Sequence, residues 1–130
     1  MSARSKLAVL AGATMVASSL FATATPASAA GECGSGYTRI DSYAIGSAGT
    51  LELYYNSGSG KNCAIARDSS PSYGYKAVYI GLADKPWADV DSGNFTYYAG
   101  PVYVSASHQC IDVRGDIGST VTVKESVHCS

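Results

Sequence analysis

The sequence is short of most things that carry enzyme chemistry. Among its 130 residues there are two histidines, one tryptophan and two phenylalanines, and neither sign of charge dominates, with 9 Lys+Arg against 10 Asp+Glu. The lack of a basic excess argues against wrapping phosphate backbones, so no nucleic-acid partner is expected. Both methionines, Met1 and Met15, fall in the first fifteen positions. No C-x-x-C pair occurs, and no G-x-S-x-G elbow stands between a strand and a helix. Gly60-Lys61 is followed by Asn62 where a phosphate loop needs Ser or Thr. No segment after residue 30 holds a helical period. The length allows one domain, and a hydrophobic fraction of 46% is too high for a disordered chain.

What is present begins with an export signal. Arg4 and Lys6 precede an apolar run from Leu7 to Ala22, and Ala27-Ser28-Ala29 supplies small residues for a peptidase. A run of about sixteen apolar residues falls short of the roughly twenty that span a bilayer. The expected organisation is therefore a secretory signal over residues 1–29, cleaved after Ala29 with the next bond as the competitor, and a mature domain over 30–130 that is not membrane-bound. Without Arg4 and Lys6 the mature part has seven basic and ten acidic residues, a net charge of −3. It keeps all four cysteines and all ten tyrosines.

Cys33, Cys63, Cys110 and Cys129 form an even set, and in an exported chain two disulfides are the default. Of the three pairings, the sequential one (Cys33–Cys63 and Cys110–Cys129) is worth about 3.7 and 3.3 kcal/mol in loop entropy, and a Cys33–Cys129 bridge about 4.7. Those values lie too close to select a connectivity. Sequential pairing is preferred because it staples each half locally, and the alternatives stay open. A metal site built from His108, Cys110, His128 and Cys129 lacks ligand spacing, so no metal and no cofactor are expected.

The body alternates with period two and breaks at glycine, proline and asparagine clusters. Leu51, Leu53 and Tyr55 share one face of an extended run, with Glu52 and Tyr54 on the other. Residues 56–62 read as the turn of a hairpin. Tyr75–Ala83 reads as a strand buried on both sides. Asp91-Ser-Gly-Asn94 reads as a loop, and Phe95–Ala99 as a strand interrupted at Gly100-Pro101, where glycine tolerates a bulge and Val102–Ser105 continues the direction. Ile111 with Val113 and Val121 with Val123 read as inward pairs. Counting Tyr37–Ile45, seven or eight short antiparallel strands predict an all-β fold, a small disulfide-stapled sandwich or barrel. Asp89-Val-Asp91-Ser-Gly93-Asn94 resembles half a calcium loop, but Gly93 and Gly100 stand where further ligands are needed.

The tyrosines are the most unusual feature. In the adjacent pairs Tyr54-Tyr55 and Tyr97-Tyr98, alternation sends one ring inward and one outward. If Leu51 and Phe95 mark core faces, Tyr54 and Tyr98 form an exposed platform for surface binding. No catalytic residues are expected.

The ordered motifs Cys33-Gly-Ser-Gly-Tyr37, Tyr55-Asn56 with Gly60-Lys61-Asn62-Cys63, and Asp91-Ser-Gly-Asn94-Phe-Thr-Tyr-Tyr98-Ala-Gly-Pro101-Val102 resemble the spore-associated protein A family of filamentous actinobacteria. Cys110 and a cysteine one residue from the end fit the same pattern. The resemblance implies a small secreted protein found with aerial hyphae and spores, and it carries no catalytic or binding residues. The preferred reading is a non-enzymatic, adhesive protein of the spore or aerial-hypha surface, whose partners are the cell wall and other copies of itself. The competing reading is a secreted binding module, either a carbohydrate binder of the cell wall or a protease inhibitor presenting residues 56–62 beside Cys63.

Overall fold

The computed structural model describes residues 31–130; the signal expected at 1–29 lies outside the described residues. Eight strands follow one another: β1 (Thr38–Ile45), β2 (Gly49–Asn56), β3 (Lys61–Asp68), β4 (Gly74–Leu82), β5 (Asp89–Phe95), β6 (Tyr98–Ser105), β7 (Ile111–Ile117) and β8 (Thr120–Val127). They form two four-stranded sheets, ordered β1-β2-β3-β6 and β5-β4-β7-β8, with antiparallel pairing throughout. The fold is a small disulfide-stapled β-sandwich.

Side chains, rather than a strand ladder, cross the two seams between the sheets. At one seam the backbone N–H of Gly100 donates to Asp91 Oδ2 at 2.8 Å, and that of Tyr103 donates to Asp89 Oδ2 at 3.0 Å. Two carboxylates of β5 thus satisfy amides on the edge of β6. At the other seam Thr122 Oγ1 donates to the Ala44 carbonyl at 2.9 Å, and His128 Nε2 lies 3.0 Å from Asp41 Oδ2.

Alternation builds the core. Leu51 and Leu53 of β2, Ala64 and Ala66 of β3 and Val102 and Val104 of β6 face Val78 and Ile80 of β4 and Ile111 and Val113 of β7. Each large aliphatic side chain buried there contributes about 1.5–3 kcal/mol. The sheets lie close together at Gly115, where an added Cβ would lie 2.8 Å from Ile45 Cδ1.

Three expectations need correction. Val121 and Val123 are 46% and 43% exposed rather than inward. The two-residue turn at Gly118-Ser119 sets Ile117 opposite Thr120, so Asp116 faces Val121 and Arg114 faces Val123. Both valines therefore share the outer face with Arg114. Asp91-Ser-Gly-Asn94 is the middle of β5 rather than a loop. The chain turns instead after Phe95, where it leaves the second sheet to enter the first. Phe95–Ala99 is not one strand, being divided between the end of β5 at Phe95 and the start of β6 at Tyr98. The bulge expected at Gly100-Pro101 is there, three residue steps from Ala99 to Val102 opposing two from Ala66 to Ala64 within a continuous β6.

Alternation also places Lys76 inward beside Val78 and Ile80, and it is fully buried. Its ammonium donates to the carbonyls of Ser72 at 2.7 Å and Phe95 at 2.9 Å, and it pairs with Asp68 at 3.1 Å. All three donors are used, as burial of an ammonium requires. Burial alone would raise the Asp68 pKa, but the Ser70 N–H and the Lys76 ammonium outweigh it and hold the carboxyl below its ordinary value.

Candidate functional site

Each sheet has an outer face, and the two are built differently. On the first sheet Glu52 and Tyr54 of β2, Ile65 and Arg67 of β3 and Tyr98 and Tyr103 of β6 stand outward by register. A segment of residues 32–37 crosses over them. Cys33 is bonded to Cys63 in β3. The Tyr103 hydroxyl donates to the Cys33 carbonyl at 2.9 Å, and the Tyr37 and Tyr103 rings lie 5.7 Å apart. Cys33, Tyr54, Cys63 and Ile65 make a second, smaller core against which Tyr37, Tyr98 and Tyr103 pack.

Arg67 fastens this cover. Its Nη2 donates to Glu32 Oε1 at 2.7 Å and its Nε to Glu52 Oε2 at 2.9 Å, while the guanidinium sits 5.5 Å over the Tyr98 ring. Tyr54 donates its hydroxyl proton to Glu52 Oε1 at 2.8 Å. Burial and the Glu52 carboxylate push the Tyr54 phenol up to about 12, and the hydrogen bond from Arg67 holds the Glu32 carboxyl below its ordinary value. The expected platform of Tyr54 and Tyr98 is therefore not an exposed one. Tyr54 is 8% exposed, and Tyr98 packs beneath Arg67. Alternation assigned the face of Tyr54 correctly, but that face is roofed.

The outer face of the second sheet has no such roof among the described residues. Register sets Val90, Ser92 and Asn94 of β5, Tyr75, Ala77 and Tyr79 of β4, Arg114 and Asp116 of β7, and Val121 and Val123 of β8 on it. Trp87 joins them from the loop between β4 and β5. That loop folds close over Gly81, where a Cβ would lie 3.2 Å from the Trp87 Cα. The glycine thus leaves room for Trp87 to set its ring 5.4 Å from that of Tyr79. Arg114 lies 4.8 Å over the Tyr79 ring, and its Nε and Nη2 donate to Asp116 Oδ1 and Oδ2 at 2.8 and 3.0 Å. The bond to Asp116 raises the Arg114 pKa. A hydrogen bond with the Tyr79 side chain, together with burial, pushes the Tyr75 phenol up.

Tyr75, Trp87, Val90, Val121 and Val123 make up five of the eight large apolar residues exposed on the described surface. Scattered apolar residues mean nothing, whereas a contiguous patch marks contact with something else. This face is the candidate site. Sequence reasoning missed it by burying the β4 strand on both sides and turning Val121 and Val123 inward. The usable signal was the register that a two-residue turn at Gly118-Ser119 imposes on β7 and β8.

Other candidates fare worse. A groove of 180 Å³ lined by Ile40, Tyr55, Asn62, Ala106, His128 and Ser130 is smaller than the roughly 300–1,000 Å³ of ordinary ligand pockets. Asp89 and Asp91, half of a supposed calcium loop, spend carboxylate oxygens on β6 amides. Among the described residues no group of three or more His, Cys, Asp or Glu could hold a metal ion. Cys110 is bonded to Cys129, and no hydroxyl among the described residues bonds to His108 or His128. In the turn after β2, Asn56 Oδ1 accepts from the Gly58 and Ser59 amides and the Gly60 carbonyl accepts from Ala106, so these backbone groups are spent on the fold.

No family model and no solved structure matches the chain. Over 90 residues it is 42% identical to "Spore-associated protein A" of Streptomyces coelicolor, an alignment that takes in 68% of this chain and 58% of that protein. The chain thus spans less than two thirds of the length of the relative it matches.

Proposed function

This chain belongs to the spore-associated protein A family, and from that membership together with the bare face of the second sheet we propose that it is an exported, non-enzymatic adhesive protein of the spore or aerial-hypha exterior. The observation that carries the reading is the gathering of Tyr75, Trp87, Val90, Val121 and Val123 on one sheet face beside a stacked tyrosine–arginine pair. A flat, half-exposed aromatic and aliphatic surface suits contact with another surface, where a catalyst needs a concave pocket that excludes water. Two disulfides and a β-sandwich supply the rigidity that a contact face needs outside the cell.

The test is retention of the purified protein by washed spores and hyphal walls in a sedimentation assay. Retention is expected for the natural sequence and should fall at least tenfold for the double variant Val121→Lys with Val123→Lys. Equal retention of the two proteins overturns the assignment of this face.

A further inference from the structure

The polar groups at the centre of the bare face narrow what can lie on it. Arg114 is the one basic residue in the rows that register lays across Val90, Tyr79 and Val123 and across Ser92, Ala77 and Val121, and Asp116 beside it cancels its charge. An anionic polymer therefore finds no unpaired cation there, and the mature domain's net charge of −3 repels it further. A second protein chain fits poorly as well, because closing a dry interface over the centre would strip the remaining water from Arg114, which is one-third exposed while its partner Asp116 is already buried. An uncharged, hydroxyl-rich ligand avoids both costs. Two of the guanidinium's five N–H groups are spent on Asp116, and hydroxyls can accept from the remainder. Ser92 and Asn94 stand exposed in the adjoining rows of β5. The apolar faces of sugar rings match the half-exposed faces of Tyr75 and Trp87.

We infer that this face binds an uncharged polysaccharide, with sugar rings stacked on Trp87 and Tyr75 and hydroxyls bonded to Arg114. The inference rests on the adhesive reading above and names the chemistry of its partner.

Trp87 is the single tryptophan of the chain, so its emission reports on the site directly. The experiment titrates the purified protein with soluble cellohexaose and chitohexaose, follows that emission, and repeats wall retention with each sugar as competitor. Saturable change with at least one sugar is expected, and that sugar should release the protein from walls. Tyr75→Ala should weaken binding about tenfold at an unchanged melting temperature. Trp87→Ala, read by depletion onto insoluble cellulose and chitin, should do the same. If walls retain the protein while neither sugar changes the emission nor competes, the polysaccharide assignment fails and the adhesive reading survives. If walls do not retain it at all, both fail. If sedimentation velocity finds a dimer that Val121→Lys dissolves, the face belongs to a second copy and the assignment is overturned.

Discussion

The outer faces of the two sheets begin from similar material and end differently. Each presents tyrosines, and on each an arginine lies over a tyrosine ring and is paired to a carboxylate (Arg67 over Tyr98 with Glu52, Arg114 over Tyr79 with Asp116). On the first sheet, residues 32–37 add a second carboxylate, a disulfide and a tyrosine, and the face becomes an interior. On the second, Trp87 adds a ring but no further layer of chain, and although Ala77 and Asp116 are buried, Tyr75, Val90, Val121 and Val123 stay exposed. The same pairing of arginine, tyrosine and carboxylate thus serves as a fastener in one place and as a surface in the other. What separates them is whether the chain itself supplies the next layer.

The largest effect should come from removing the staple that holds the cover. Cys33→Ser with Cys63→Ser opens a loop of sequence separation 30 and should cost about 3.7 kcal/mol by loop entropy, more if the serines are left buried without partners. Denaturant unfolding measures the loss. A second readout sharpens the comparison: Tyr54 should become accessible to nitration, while Tyr79 and Trp87 keep their behaviour. Next in size is Arg67→Ala, which leaves Glu52 buried with only Tyr54 and Thr50 as partners. Arg67 is about one-third exposed, so the expected loss is about 2 kcal/mol, below that for a fully buried pair. A melting curve indistinguishable from that of the natural sequence would show that the cover holds without its fastener.

Much of this contrast was not written locally in the sequence. Alternation alone assigned Leu51 and Leu53 to one side and Glu52 and Tyr54 to the other, because a strand has no other way to distribute side chains. It says nothing about whether a face meets water. The cover over Tyr54 comes from Cys33 and Tyr37, distant in sequence and joined to it through Cys63 and Tyr103. Lys76 shows the same limit from the other side. Its parity with Val78 and Ile80 points it inward, yet the carbonyls that receive it belong to Ser72 and Phe95, which only the fold brings together. The bare face was more legible than it first looks, since a two-residue turn at Gly118-Ser119 requires Val121 and Val123 to lie with Asp116 and Arg114.

Extremes of pH should loosen the two faces unequally. The folded-state pKa of Glu32 is depressed by Arg67, so its contribution is present above the ordinary carboxylate range and is lost as pH falls through the depressed value. The phenol of Tyr54 is raised to about 12, so its contribution is complete below about 10 and is lost as pH rises through the folded value. Amide exchange across residues 32–37 should quicken at both ends of the scale before β7 responds. Release of all strands together in acid would mean that the cover is no separate unit.

The smallest effect on stability should come from the open face, and there the comparison is most exposed to failure. Val121→Thr with Val123→Thr removes apolar surface that already meets water, keeps the β-branched shape that a strand accepts, and should shift stability by no more than about 0.5 kcal/mol. If Val121 and Val123 face water only because a partner is missing, wall retention should drop while the melting curve stays in place. A stability loss of core size, about 2 kcal/mol or more, would mean instead that these valines are buried against the protein's own chain. The second sheet would then carry a roof of its own, and the two faces would not differ in kind.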